Sequence, residues 1–199
     1  MKVLKFGGSS VGSANAINNV RHIVEGTQGP VIVVVSALGG VTDQLIRLTQ
    51  MAAKGNVGYT TEFNALTERH HQIVADVIKA ERQARLIASL DALLAELHSI
   101  LHGVYLIQDL TPKIADAIVA YGERMSSLIV AELITDAVHF DARRLIRTEH
   151  GSAKHLVDFD KTSQLVIEAF AHDAPRVAVM GGFIASDSET GVTTNLGRG

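Results

Sequence analysis

The chain has 199 residues, which is enough for one domain with a sizeable core and short for two. Its formal net charge is -3 and its basic residues form no long run, so neither nucleic acid nor an anionic membrane surface is an expected partner. The lack of cysteine excludes disulfides, thiolate metal sites and cysteine nucleophiles. The longest apolar run is far shorter than the ~18 residues of a membrane span, and no signal peptide is recognisable, so we expect a cytoplasmic protein.

The first quarter of the chain alternates strand and helix patterns. A short buried strand is predicted at Val3–Phe6, and apolar spacing over residues 13–25 then predicts an amphipathic helix. The β-branched run that begins at Val31 is typical of a strand buried on both faces of a parallel sheet. Thr42 or Asp43 is predicted to cap the next helix.

The rest of the chain is mostly helical in pattern before strands return. Residues 61–136 carry apolar side chains at three- and four-residue spacing almost throughout, which predicts a large helical insertion. The later predicted elements are a short strand in 138–146 that leads into a loop, a helix in 158–173, a buried strand in 176–185 that ends in a glycine pair, and a hairpin in 186–199.

This order of elements predicts an α/β protein with three αβα layers and a mostly parallel sheet covered on both faces. The sequence stops in a polar, glycine-rich loop, with no strand or helix that would close the sheet. We therefore expect residues 1–199 to be a fragment cut inside one domain.

A glycine-rich loop, GGSSVG, follows the first predicted strand and precedes the first helix. Parallel sheets bind ligands at the carboxyl ends of their strands, and glycines there let backbone N–H groups approach phosphate oxygens. Gly7 and Gly12 have the glycine spacing of a P-loop, but the nearest cation, Lys5, precedes the glycines instead of following them. The loop alone is equally compatible with a tight turn beside an exposed lysine.

Two histidines, His98 and His102, lie four residues apart in a predicted helix and therefore on one face of it. That spacing can bind zinc, but no third ligand is identifiable in the sequence. We expect no metal site on the protein.

Five stretches of the sequence resemble the motifs of aspartate kinases in the amino-acid kinase superfamily, and they occur in the family order. They are KFGGSSV, VVSALGGVTDQL, YGERMSS, FDARRLIRT and GGFIASDSETGVTTNLGRG. Together these stretches span nearly the whole chain. A sixth, LHGVYLIQDLT, resembles the helical insertion of bifunctional aspartate kinase–homoserine dehydrogenases.

The resemblance implies the amino-acid kinase fold, truncated before its nucleotide-binding half is complete, and a homo-oligomeric intact enzyme. It implies phosphoryl transfer from ATP, with Mg²⁺ carried by the nucleotide, to the side-chain carboxylate of L-aspartate. Lys5 would be the catalytic cation on the ATP phosphates, and Gly7, Gly8 and Ser9 would donate hydrogen bonds to the same phosphates.

The resemblance also implies an amino-acid pocket. Glu123 would bind the substrate ammonium, and Arg198 would bind a substrate carboxylate through two parallel hydrogen bonds. Ser36, Thr42 and Phe183 match positions that line the family's substrate pocket. Without the resemblance, Glu123 would be a surface carboxylate paired with a neighbouring arginine, and the two hydroxyls would be strand-end or helix-cap groups.

One departure from the family pattern bears on activity. In the family the final G-R-G continues into Ser-Asp-Tyr, whose Asp organises the transferring phosphoryl group, and the sequence ends before it. We therefore expect this fragment to be inactive or nearly so. The alternatives are another kinase of the superfamily, acting on glutamate, acetylglutamate, carbamate or UMP, and a non-catalytic sensing or assembly module.

Overall fold

The computed structural model describes residues 1–151, 155–171 and 174–196. Its strands are β1 (Lys2–Phe6), β2 (Val31–Val35), β3 (Ala137–Phe140), β4 (Arg147–Thr148), β5 (Val177–Gly181), β6 (Ile184–Asp187) and β7 (Thr193–Asn195). Its α-helices are α1 (Ala14–Glu25), α2 (Val41–Ala53), α3 (Tyr59–Val77), α4 (Ala80–Ile107), α5 (Pro112–Val119), α6 (Tyr121–Leu133) and α7 (Phe159–Phe170). Short 3-10 helices lie at Gly8–Val11 and Ala142–Arg144.

The main sheet has four parallel strands in the order β1-β2-β5-β3. One face of its central strands presents a row of valines, including Val33 and Val179, to a core shared with helices α1 to α6. The other face packs Met180 against a smaller cluster that Phe140 and Phe170 of α7 border. The predicted three-layer α/β architecture with a mostly parallel sheet is therefore confirmed.

Helix α4 is the longest described helix, and among the described residues it is the one whose length and hydropathy would suit a membrane span. Its leucines recur at three- and four-residue spacing along one stripe, and that stripe is buried in the core. The opposite side of the helix carries exposed polar residues such as Glu81 and Ser99. This distribution is typical of an amphipathic core helix.

A second, three-stranded sheet has the order β4-β6-β7, and its β6–β7 pair is an antiparallel hairpin, as predicted for this region. The buried strand predicted in 176–185 is β5, and its predicted end in a glycine pair is confirmed, because it ends at Gly181; the chain then bends and continues as β6 in the second sheet. Phe183 forms the bend with a φ of 66°, a left-handed conformation that a bulky residue rarely adopts. The bend brings residues after β5 back over the end of the main sheet.

One helix boundary differs from the prediction. Neither Thr42 nor Asp43 caps α2, because the helix begins at Val41 and Gly40 takes the cap position with a φ of 80°. The short strand predicted in 138–146 is confirmed as β3, and the predicted loop begins after Phe140, where the carboxylate of Asp141 accepts a hydrogen bond from the Arg143 N–H and starts a 3-10 turn.

A histidine of α3, His70, is fully buried in the helical layer. Its Nδ1 lies 2.8 Å from the carbonyl oxygen of Leu66, and its Nε2 has no hydrogen-bond partner among the described residues. Burial lowers the pKa of His70 to about 4, and the nearby charges of Arg69 and His71 act in the same direction. The imidazole is therefore neutral in the folded protein at pH 7.

We predict that this histidine makes the protein acid-labile. Between about pH 6.5 and pH 4 the unfolded chain binds a proton at His70 that the folded chain does not, so stability falls as the pH falls. The contribution lost over this range is about 3 kcal/mol. Chemical denaturation at pH 7, 5.5 and 4.5 would show a shallower decline for His70→Leu than for the exposed-site control His22→Gln. Equal declines would contradict the prediction.

Candidate active site

A cavity of about 570 Å³ opens where the carboxyl ends of β1, β2 and β5 meet. It lies between the loop after β1, the loop after β2, the start of α6 and the bend after β5. Its lining residues are Lys5, Gly8, Ser36, Ala37, Leu38, Gly39, Gly40, Thr42, Glu123, Gly182, Phe183 and Leu196. Six of the residues predicted from sequence therefore share one cavity.

The loop after β1 forms one side of this cavity. Lys5 is the penultimate residue of β1 and lines the cavity, and Gly8 begins the 3-10 helix that follows the strand. Gly7 and Ser9 flank Gly8 in the loop, outside the cavity wall. A Cβ atom at Gly7 would meet nothing within 4 Å, so the space beside the backbone is open there. These residues fit a phosphate group.

The loop after β2 packs directly on this first loop. A Cβ atom at Gly39 would lie 3.1 Å from the carbonyl oxygen of Gly8 and 3.3 Å from the Cα of Gly12. A Cβ atom at Gly12 would in turn lie 3.6 Å from the Cα of Gly39. The loops therefore touch backbone to backbone, and glycine is needed at the contact.

Glu123 lies on the floor of the cavity, and only 3% of it is exposed. Its Oε1 accepts a hydrogen bond of 3.1 Å from the backbone N–H of Ala37 at the end of β2. The adjacent Arg124 turns away and donates a hydrogen bond of 3.2 Å to Glu96 on α4, with its guanidinium 4.3 Å from the centre of the Tyr121 ring. Glu123 is thus a buried carboxylate of the cavity and not the surface partner of its neighbouring arginine.

The first turn of α6 is docked closely against the strand ends. A Cβ atom at Gly122 would lie 2.7 Å from the Cβ of Ala37, so the helix approaches β2 at a distance that only glycine permits. The Ser126 hydroxyl donates a hydrogen bond of 2.7 Å to the carbonyl oxygen of Ser36. Together with Glu123, these contacts fix the helix to the end of the sheet.

The remaining predicted pocket residues take different positions. Ser36 follows β2 and donates its backbone N–H to the carbonyl oxygen of Phe6, which ties the two strand ends together. Thr42 is the second residue of α2, and Phe183 closes the opposite wall with its carbonyl accepting the Leu196 N–H at 2.7 Å. Arg198 lies outside the described residues.

Sequence reasoning assigned no role to several residues of the cavity wall. Leu38, Gly39 and Gly40 line the cavity together with Leu196, although all four lie in motifs that the resemblance had identified. Their hydrophobic or absent side chains carry no chemical signal that would single them out. Only their position at the ends of neighbouring strands places them at the site.

The histidine pair considered as a possible zinc site belongs to an aromatic stack. The His98 and His102 rings lie parallel with their centres 6.3 Å apart, between Phe63 on one side and Tyr105 on the other. Within the described ranges, no group of three or more histidine or acidic residues could hold a metal ion.

The protein has a parallel sheet between helical layers, and glycine loops and a lysine surround a cavity at the ends of its strands. These features define the class of α/β proteins that bind ligands at that edge of the sheet. The chain belongs to the amino acid kinase family, whose model matches residues 1–199.

The individual relatives are aspartokinases. The chloroplast bifunctional aspartokinase/homoserine dehydrogenase 1 of Arabidopsis thaliana is 26% identical over 96% of this chain and 22% of its own length. E. coli aspartokinase III in complex with lysine and aspartate superposes with a TM-score of 0.86 at 27% identity, covering 100% of this chain and 44% of that one. The same enzyme with aspartate and ADP gives a TM-score of 0.83 at 26% identity over the same shares. The chain thus spans less than half of these relatives.

We predict that Gly122→Ala destabilises the protein by about 1–3 kcal/mol, because the added methyl group would overlap Ala37 and push α6 away from β2. Gly103→Ala in α4 is the matched control, since a Cβ atom there would meet nothing within 4 Å. That substitution should stabilise the helix by about 0.5–1 kcal/mol. Urea denaturation of both variants measures the difference, and equal midpoints would refute the close docking of α6.

Proposed function

We propose that the protein is an aspartate kinase that transfers the γ-phosphoryl group of MgATP to the side-chain carboxylate of L-aspartate. The product is 4-phospho-L-aspartate, the first intermediate of lysine, threonine and methionine biosynthesis. One observation carries the proposal: the cation and glycine of the loop after β1 share a cavity with the buried carboxylate Glu123. One end of that cavity would bind the phosphate chain of ATP, and the other end would bind an amino acid.

The loop after β1 would bind the nucleotide. When bound, ATP supplies the phosphoryl group together with its Mg²⁺. Lys5 would neutralise negative charge on the phosphates, and the backbone N–H groups of Gly7 and Gly8 with the hydroxyl of Ser9 would donate hydrogen bonds to them. The exposure of Lys5 at the cavity edge leaves its ammonium accessible to such a ligand.

The opposite end of the cavity would bind aspartate. Glu123 attracts an ammonium group strongly because it is buried, where charges are poorly screened. Ser36 and Thr42 supply hydroxyl groups to the same cavity, and Phe183 forms part of its wall. Arg198 is proposed to bind a substrate carboxylate through its planar guanidinium.

The relatives agree with this substrate pair, since the E. coli aspartokinase III structures contain aspartate, in one case with ADP. A kinase for glutamate, acetylglutamate, carbamate or UMP remains the alternative within the superfamily, and a non-catalytic sensing or assembly module the alternative outside it. Each alternative predicts a different response to substrate.

Ligand-dependent stabilisation and product formation together test the function. A ligand at 100 times its dissociation constant stabilises a protein by about 2.7 kcal/mol, so aspartate should raise the melting temperature visibly, whereas glutamate and UMP should not. Aspartate-dependent ADP production by the whole natural protein identifies the kinase. Binding without turnover in that protein would favour the non-catalytic module, and a response to glutamate or UMP would reassign the substrate.

We predict that Glu123→Gln lowers kcat/KM for aspartate about 30- to 1,000-fold, since removing one partner of a buried charge pair costs about 2–4 kcal/mol. The amide oxygen can still accept the Ala37 N–H, so α6 stays docked and the loss reports on charge. Glu132→Gln in the same helix removes a more exposed pair with Arg82 and should leave kcat/KM unchanged. Equal values of kcat/KM in the two variants would show that Glu123 does not bind the substrate.

Four other expectations stay predictions. A bifunctional plant enzyme and E. coli aspartokinase III both match over at least 96% of the chain, so similarity over these residues is shared by both kinds of enzyme. A homoserine dehydrogenase assay of the whole natural protein tests the bifunctional subtype. Cytoplasmic location, expected from the composition of the chain, and homo-oligomeric assembly, implied by the resemblance, are likewise proposed. The predicted inactivity of residues 1–199 alone is tested by the same ADP assay.

A further inference from the structure

An arginine from the helical layer, Arg69, reaches the contact between the two glycine loops. It belongs to α3, and its Nη2 donates a hydrogen bond of 2.6 Å to the carbonyl oxygen of Gly39 in the loop after β2. The same nitrogen lies 3.5 Å from the carbonyl oxygen of Gly12 in the loop after β1. One guanidinium thus contacts the backbone of both loops.

Where Arg69 binds, the facing surfaces of the two loops are glycine backbone. Gly8 and Gly12 face Gly39 without side chains that could interlock, and a Cβ atom at Gly39 would force the opposite loop to shift. The strand ends below this contact are joined by the hydrogen bond from the Ser36 N–H to the carbonyl oxygen of Phe6. The hydrogen bonds of Arg69 add directional constraints where packing supplies few.

The backbone of Arg69 is anchored in the packed core. Its neighbours on α3, Leu66 and His70, are fully buried, and Ile73 one turn further on is 8% exposed. Arg69 itself is partly buried, so its hydrogen bonds are less exposed to competition from water than those of a surface arginine. The core therefore fixes the point from which the side chain reaches the loops.

We propose that Arg69 is a positioning residue that sets the distance between the phosphate-binding loop and the amino-acid-binding loop. The proposal rests on the proposed function, in which the first loop holds ATP and the second, with Ser36 and Thr42, holds aspartate. Phosphoryl transfer requires the two substrates at near-contact distance, and a displacement of about 1 Å can cost about 100-fold in rate. Arg69 touches neither substrate in this arrangement and acts through the loops.

Hydrogen exchange tests the loop contact without relying on catalysis. Arg69→Met keeps the aliphatic stem and removes the donors, whereas Arg69→Lys keeps the charge and can reach one carbonyl. Arg82→Met is the matched control, because Arg82 forms its ion pair with Glu132, on α6. In the whole natural protein, the amides of Ser10 and Val41, which close turns in the two loops, should exchange at least tenfold faster in Arg69→Met. Unchanged exchange relative to the control would overturn the proposal.

Steady-state kinetics then test positioning. At a temperature where all variants are folded, Arg69→Met should lower kcat about tenfold or more, with KM for ATP and for aspartate changing less than about threefold. Arg69→Lys should recover part of kcat, which a residue needed only for stability would not show. Unchanged kcat in Arg69→Met would overturn the positioning role. If the unmutated protein forms no ADP with aspartate, the proposed function fails, and hydrogen exchange still decides whether Arg69 holds the loops.

Discussion

The hydrogen bond from the backbone N–H of Ala37 to the buried carboxylate of Glu123 is the contact on which the candidate site depends. It joins the loop at the end of β2 to the start of α6, through two residues that are 86 positions apart in the chain. A charge is costly to bury, and this one lies in the first turn of a helix, where the helix dipole favours an anion.

Much of the fold could be predicted because burial leaves a clear pattern. The run at Val31–Val35 is apolar at every position, and such a run indicates a central parallel strand. The failures occurred where backbone conformation overrides side-chain pattern. Gly40 takes the cap position expected for Thr42 or Asp43, and the left-handed Phe183 turns the chain from the main sheet into the second sheet. The hydrophobic pattern of a sequence does not indicate these dihedral angles.

The candidate site was predictable where side-chain chemistry coincided with a strand end. Lys5 and Glu123 carry charges inside recognisable motifs, and the structure places both on one cavity. The backbone wall at Gly39 and the guanidinium of Arg69 were not predictable in this way, because their roles arise from tertiary proximity. Arg69 is 30 residues from Gly39 and 57 from Gly12, within a helix whose pattern shows only an amphipathic surface.

The order of the strands has a consequence for how the chain acquires its structure. β2 pairs with β5, so 141 intervening residues (36 to 176) must be synthesised before the central pair of the sheet can form. Non-local pairing of this kind slows folding, and the edge of β2 that pairs with β5 has no partner strand until β5 has been synthesised. Until then a nascent chain presents an unpaired, valine-rich strand edge, which is the kind of edge that promotes aggregation.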